Sequence, residues 1–275
     1  MNPAKLQDDH TEEVRVFVDM AKRYITPLEV KVILELGSRD ACEAVSLKRA
    51  FRNATVYAFE CNPPAIELCR QNTGDKEDIV LVPMAVSDVD GVVDFYAIDP
   101  RNTVTTHADG NIGASSLYKA NPAYPFEKLT QVKISVPSTT VDCWARKNSV
   151  PPADIVWMDL QGAELRALHG MADVLRTIKI IYTEVEFQRI YYGQPLFRSV
   201  HRHLRSHGFV LQWISGTDWF GNALYVHKDC LQNLPQRIRC LLTGYLLYFR
   251  VEWACLRRVG VSCVRRILSL RKMGT

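Results

Sequence analysis

Apolar runs of four to six residues recur along this chain, each closed by a glycine, a proline or an acid. Between them, apolar positions return every three or four residues. The run Val32-Ile33-Leu34-Glu35-Leu36 breaks on Gly37. Ala41, Ala44, Val45, Leu47, Ala50 and Phe51 then stand about one helical turn apart, and Val56-Tyr57-Ala58-Phe59 stops on Glu60. Strand, glycine turn, helix, strand and acidic end form a βαβ unit, the front half of a Rossmann-like sheet. Ahead of it, Thr11-Glu12-Glu13 resembles a helix start for Val14, Phe17, Val18 and Ala21, and Thr26-Pro27 ends that helix.

Downstream the same alternation continues. Asn62-Pro63-Pro64 opens a helix, and residues 78–86 read as a third strand leading to Ser87-Asp88. Asp90-Gly91 is a hairpin turn signal between Val86 and the run that starts at Val92. A short strand at 133–136 and a short helix from Thr139 follow. Residues 154–159 form a buried strand ending in Asp159, and 162–175 read as one helix. The strand at 178–185 ends among Glu184 and Glu186, 195–207 are helical, and 208–214 with 222–227 pair antiparallel. The expectation is an α/β, Rossmann-like three-layer sandwich: a mostly parallel seven-stranded sheet, helices on both faces, and a C-terminal amphipathic helical tail. It divides into a helical lead-in (1–29), the main domain (30–230) and the tail (231–275). Residues 99–130 follow no period, and Tyr118, Tyr124 and Phe126 within them argue for a substrate-facing loop.

Three strands ending in acids on one side of a parallel sheet put carboxylates where such sheets bind ligands. The first turn carries a single glycine, whereas a dinucleotide fingerprint carries three. A pyrophosphate there would meet Asp40. S-adenosylmethionine has no phosphate, and its ammonium and sulfonium suit Glu35 and Asp40.

Charge and cysteines narrow the picture further. The net charge is only +4, but residues 231–275 hold nine Lys/Arg against one acid, Glu252, and the rest is mildly acidic. That is not the all-over basic footprint of a nucleic-acid binder. The eight cysteines form no C-x-x-C pair and no zinc-like cluster, and Met1–His10 is polar, so free thiols in a cytoplasmic protein are expected.

The chain resembles class I S-adenosylmethionine-dependent methyltransferases, and more narrowly the FkbM family. The resemblance rests on Leu34-Glu35-Leu36-Gly37-Ser38-Arg39-Asp40, then Tyr57-Ala58-Phe59-Glu60-Cys61-Asn62-Pro63, then Ala85-Val86-Ser87-Asp88. Asp159-Leu160-Gln161-Gly162-Ala163-Glu164, Glu184-Val185-Glu186 and Tyr192-Gly193-Gln194-Pro195 continue it. It implies an O-methyltransferase using S-adenosyl-L-methionine, acting on a hydroxyl of a sugar, polysaccharide or lipid-linked glycan. By resemblance and strand-end position, Glu35 and Gly37 meet the methionyl part, Glu60 the ribose, and Ser87 and Asp88 the adenine region, with Ser38, Asp40 and Cys61 completing the expected cofactor-binding set. Asp159 is the first choice for general base, with Glu164 and Glu184 as runner-up catalytic carboxylates. Each also has a structural reading: Glu60 as a solvated strand end, Asp159 as a cap on the next helix. Gln161 stands where the family's block has glutamate, and an amide neither accepts a proton nor bears charge. Asp159, Glu184 and Glu186 are of the type that holds magnesium, but nothing in their spacing demands a metal, and none is expected.

His169 reads as a packed or surface histidine, and His201, His203 and His207 as a solvated face. In the tail, Arg239, Arg250, Arg257, Arg258, Arg265 and Lys272 share one helical arc, with Leu242, Phe249, Trp253, Leu256 and Ile267 opposite. That pattern suits an anionic membrane surface, and packing on the domain or on a second copy is the alternative. A non-catalytic membrane-associated module and another Rossmann-type nucleotide enzyme are the rival classes.

Overall fold

The computed structural model describes the backbone of residues 3–74, 76, 78–231 and 233–272, and the side chains of that range from 12 to 254. The helices are α1 (Pro3–Ala21), α2 (Cys42–Ala50), α3 (Pro63–Thr73), α4 (Val141–Lys147), α5 (Glu164–His169), α6 (Phe197–Ser206) and α7 (Leu234–Lys272). The strands are β1 (Val32–Leu36), β2 (Thr55–Phe59), β3 (Ile79–Val82), β4 (Ala85–Val86), β5 (Gly91–Ile98), β6 (Gln131–Thr139), β7 (Ile155–Met158), β8 (Ile180–Glu186), β9 (Phe209–Ile214) and β10 (Phe220–His227).

Seven strands form one sheet in the order β3-β2-β1-β7-β8-β10-β9, parallel except for β10, which runs against both neighbours. Central β1 is buried at all five positions, as a parallel strand covered on both faces must be. Phe17, Leu47 and Phe51 pack on one face of the sheet, and Trp144, Leu168 and Leu204 on the other. Each such side chain contributes roughly 1.5–3 kcal/mol by leaving water. The register aligns the strand ends: Leu36 lies opposite both Phe59 and Met158. Gly37, Glu60 and Asp159 therefore emerge side by side from one edge, which is where β8 delivers Glu184.

The structure departs from the sequence expectations in five places. Helix α1 starts at Pro3, eight residues before the expected Thr11. The strand expected over 78–86 is two: β3 joins the main sheet, and β4 crosses to a small sheet ordered β4-β6-β5. Asp90-Gly91 closes no hairpin with Val86, because β5 pairs with β6 and Asp90 accepts hydrogen bonds from Thr139 Oγ1 and Thr140 N. The helix expected over 162–175 ends at His169. Gly170 lies so close to Ser87 O that a Cβ there would sit at 2.1 Å. Finally, His201 is buried, 3.2 Å from the Tyr225 hydroxyl and stacked on Tyr248, so it is no part of a solvated face.

Within the tail, Cys240 is buried, Gly244 brings α7 against Leu211 of β9, and Leu247, Tyr248 and Val251 pack on the core. The side chains of Leu256, Arg257, Arg258, Arg265, Ile267 and Lys272 lie outside the described residues. Among the described residues, no helix is long and apolar enough to cross a membrane.

Candidate active site

The carboxyl edge of the sheet opens into a crevice of about 570 Å³. Its floor is the row of strand ends: Gly37 after β1, Glu60 after β2, Met84–Val86 after β3, Asp159 after β7 and Glu184 at the end of β8. Its roof comes from the irregular 99–130 segment, which contributes His107, Ile112, Ser115, Tyr124 and Phe126 among others. That segment is held down by local bonds. Arg39 pairs with Asp109 at 2.9 Å, and Tyr96 and Ser116 exchange backbone hydrogen bonds.

Gly37 has φ +88°, and a Cβ on it would fall 1.9 Å from the Asp159 carbonyl oxygen. The turn after β1 therefore crosses the end of β7 at a distance only glycine allows. The amides of Gly37 and Ser38 both donate to Phe59 O, which ties the turn to β2 as well. Beneath it, Glu35 is 1% exposed. Ser38 Oγ donates to its Oε2, and its Oε1 has no partner. Burial first, and the nearby Glu43 charge second, push the Glu35 carboxyl well above the usual range.

Glu60 is held by three backbone amides. Arg39 N donates to Oε2 at 2.8 Å, and Cys61 N and Asn62 N donate to Oε1 at 2.7 Å each. A carboxylate offers about four lone-pair sites, so these three amides leave one, on Oε2, open. Burial raises this carboxyl, and the three amides oppose that without cancelling it.

On the other side of the crevice, Gln161 links two acids. Its Nε2 donates to Asp159 Oδ1 at 2.7 Å and to Glu184 Oε2 at 2.9 Å, and its Oε1 lies 2.9 Å from the Tyr191 hydroxyl. Gln161 itself sits at φ +51°, a left-handed conformation that a β-carbon disfavours. Glu164 lies just below. Its Oε1 accepts from Leu160 N at 2.8 Å and Gly162 N at 3.3 Å, and burial pushes its carboxyl up to about 7.

Asp159, though open to the crevice, lies deep enough that desolvation raises its carboxyl. Glu184 is raised well above the usual range by desolvation and then by the Asp159 charge. When two carboxyls are this close, one keeps its proton. Glu184 is raised further than Asp159, and desolvation is the first cause in both.

One carboxylate oxygen each from Asp159, Glu164 and Glu184 lie within 4.8 Å of one another, a spacing that a hard cation tolerates. In this chain, however, the Gln161 amide already occupies the gap between Asp159 and Glu184. Glu186 is 1% exposed and its carboxylate oxygens have no hydrogen-bond partner, with burial raising its carboxyl well above the usual range.

The expected site residues thus divide into three groups. Gly37, Glu60, Cys61, Asp159 and Glu184 line the crevice. Glu35, Ser38 and Glu164 are buried under it, and Asp40 accepts from Cys42 N at the start of α2. Ser87 and Asp88 lie off the crevice: Ser87 is fully buried, and Asp88 pairs with Arg166 at 2.8 Å. The main sheet ends at Val82, so the chain passes the crevice earlier, at Met84–Val86. Arg39, Asn62 and Tyr191 also line the crevice and were not among the expected site residues. Arg39 and Asn62 flank acids already singled out, but Tyr191 carries no local signal.

The methyltransferase FkbM domain model matches residues 31–211. The chain is 29% identical over 188 residues to the 2-O-methyltransferase NoeI of Sinorhizobium fredii (strain NBRC 101917 / NGR234), covering 68% of this chain and 76% of that one. Among solved structures it is similar to the precorrin-6y C5,15-methyltransferase of Geobacter metallireducens GS-15. There the TM-score is 0.43 and the identity 12%, over 78% of this chain and 88% of that one. It is also similar to Aeropyrum pernix fibrillarin with natively bound S-adenosyl-L-methionine. There the TM-score is 0.45 and the identity 10%, over 77% and 74%. Strand order, strand-end crevice and family match agree: the chain belongs to the FkbM methyltransferase family and is an S-adenosylmethionine-dependent O-methyltransferase.

Proposed function

We propose that the acceptor is a carbohydrate hydroxyl, on a sugar, a polysaccharide or a lipid-linked glycan, and that Asp159 is the base that takes its proton. The observation that carries the reading is the bridge from Gln161 Nε2 to Asp159 and Glu184, set across the crevice from Glu60. The likeness to a 2-O-methyltransferase supports a hydroxyl acceptor. In this reading the cofactor's ribose takes the open lone pair of Glu60, and its adenine lies against Met84–Val86. The methionyl end follows the Gly37 turn, with Glu35 and Ser38 supporting that turn from beneath. Bound S-adenosylmethionine would supply the activated methyl group, which would pass from sulfur to the acceptor oxygen and leave S-adenosylhomocysteine, while Asp159 would take the proton that the oxygen loses. Positioning and one proton transfer are all that the protein must supply, since the donor is already activated.

The reading includes a location, the inner face of a membrane where glycolipids are assembled, and a small-molecule or glycan acceptor instead of a nucleic acid. The test is methyl transfer from labelled S-adenosylmethionine to a panel of glycans and glycolipids, with Asp159→Asn alongside. Turnover by the wild type and not by the variant, with cofactor binding kept in both, is expected. Binding of the cofactor without turnover on any acceptor would favour a non-catalytic module.

A further inference from the structure

Over the residues whose side chains are described, 234–254, helix α7 packs on the core through one side. Gly244 allows its backbone to approach β9, so that a Cβ there would meet Leu211 O at 2.8 Å. Tyr248 stacks on His201 with ring centroids 4.6 Å apart. The Arg205 guanidinium donates to the Tyr245 hydroxyl at 2.8 Å, and Arg198 pairs with Glu252. Gly244, Leu247, Tyr248 and Val251 mark the docked face, while Tyr245 and Glu252 reach Arg205 and Arg198 from one edge of the outer face. At 100° per residue, Leu234, Ile238, Leu242, Leu246, Phe249 and Trp253 fall within an arc of about 120° opposite Gly244. All six are exposed, by 51 to 71%.

We infer that this outward arc of α7 is an interfacial docking surface for anionic lipid, with the helix lying along the membrane plane. The inference rests on the membrane location proposed above, not on the methyl-transfer chemistry. From Leu234 to Trp253 the arc runs about 30 Å, and no described helix meets the demands of a span. Its margins are basic: Arg239 and Arg250 lie beyond one edge and Arg237 beyond the other. Glu252, the one acid of the segment, is held by Arg198 and its side chain is only 15% exposed. Beside the arc, a groove of about 600 Å³ adds Arg205 and Lys228 together with one acid, Asp229. Apolar side chains with an aromatic residue at one end, flanked by arginines, fit acyl chains and acidic headgroups together. A second copy of the chain fits less well, because apposed arcs would bring these arginines near their own kind. Packing on the domain and docking on a membrane are thus not alternatives for this helix, since each uses a different face.

Full-length protein is tested by co-sedimentation with vesicles of pure phosphatidylcholine and of phosphatidylcholine with 30% phosphatidylglycerol, a composition chosen so that acidic headgroups are plentiful. The expected result is about tenfold stronger binding to the anionic vesicles, weakened by salt. Leu246→Glu/Phe249→Glu is expected to lower it at least about tenfold, and Arg239→Glu/Arg250→Glu to remove the preference for anionic lipid. Binding of S-adenosylhomocysteine by calorimetry, retained in both variants, shows that they fold. No wild-type binding to either vesicle overturns the membrane location itself. Wild-type binding that both variants retain overturns only the assignment to this arc. A lipid-free dimer that Leu246→Glu/Phe249→Glu dissociates also overturns it, by giving the arc to a second copy.

Discussion

At the scale of single residues, the proposed mechanism needs Asp159 ionised beside a Glu184 whose carboxyl is raised further. Gln161 Nε2 donates to both, so it orients them without adding charge. Desolvation raises Asp159, and activity is therefore expected to rise with pH through a value above the ordinary aspartate range. Gln161→Glu would replace the donor with a third carboxylate. Like charge disfavours ionisation, so the alkaline displacement of the pH–rate profile should grow, read from initial rates across pH 5 to 9. Asp159→Asn should cost roughly 10²–10⁴ in kcat while leaving cofactor affinity unchanged, because general-base contributions are of that size. A fall in affinity equal to the fall in kcat would place Asp159 on the cofactor. These roles were legible in part. The strand-end acids stood out because apolar runs stop on them. The Gln161 bridge did not, since a glutamine between two acids in sequence says nothing of which side chains its amide will reach. Ser87 and Asp88 were drawn in by the same strand-end logic, which fails there because the strand is really two and the chain has turned away before reaching them.

Elements follow from local pattern where one face is buried, and fail where tertiary contacts decide. The 3.6-residue period identified α2 and α3 and the apolar runs identified β1, β2, β7 and β8, because each of these presses directly on the core. The end of α5 was missed, since it is imposed by Ser87 O approaching Gly170 from a distant part of the chain. The 99–130 segment had no period to read, yet it forms the roof, held by pairs such as Arg39–Asp109 that join residues seventy positions apart. Helix α7 shows the same division. Its amphipathic character was evident, but which face would dock depended on Gly244 meeting β9. Gly244→Val would place branched carbons where a Cβ already stands 2.8 Å from Leu211 O. Overpacking of that kind costs about 1–3 kcal/mol, so the midpoint of chemical unfolding should drop. His201, which Tyr248 covers in the intact protein, should gain solvent access, detectable by its modification rate. An unchanged midpoint would mean that α7 does not lean on β9 through this glycine.

Over the whole molecule, the unusual feature is a layer of buried carboxyls at one edge of the sheet with no cation among their direct hydrogen-bond partners. Glu35, Glu164, Glu184 and Glu186 are all raised, each chiefly by desolvation, Glu164 to about 7. A carboxyl whose folded value lies above its unfolded value of 4.5 binds its proton more tightly when folded. Between those two values the native state therefore carries more protons than the unfolded chain, and stability falls as pH rises. The stabilisation from Glu164 is complete below about 4.5 and is lost as pH climbs through about 7. Groups raised further extend the loss to higher pH. Most proteins with paired, lowered carboxylates lose stability on the acid side. In this one, burial also lowers His201 and His203 from 6.5 to about 4, which opposes the carboxyl trend below pH 6.5, so the loss should show between about pH 6.5 and 8 as a falling midpoint in urea titrations at constant ionic strength. Glu164→Gln keeps an oxygen for Leu160 N and Gly162 N but has no proton to lose, so its slope over that window should be shallower than that of the wild type. S-adenosylmethionine, whose sulfonium and ammonium bring positive charge to the same edge, should flatten the slope further, because a bound cation favours the ionised forms. A wild-type profile that rises across the window would mean that these carboxyls are ionised in the folded protein.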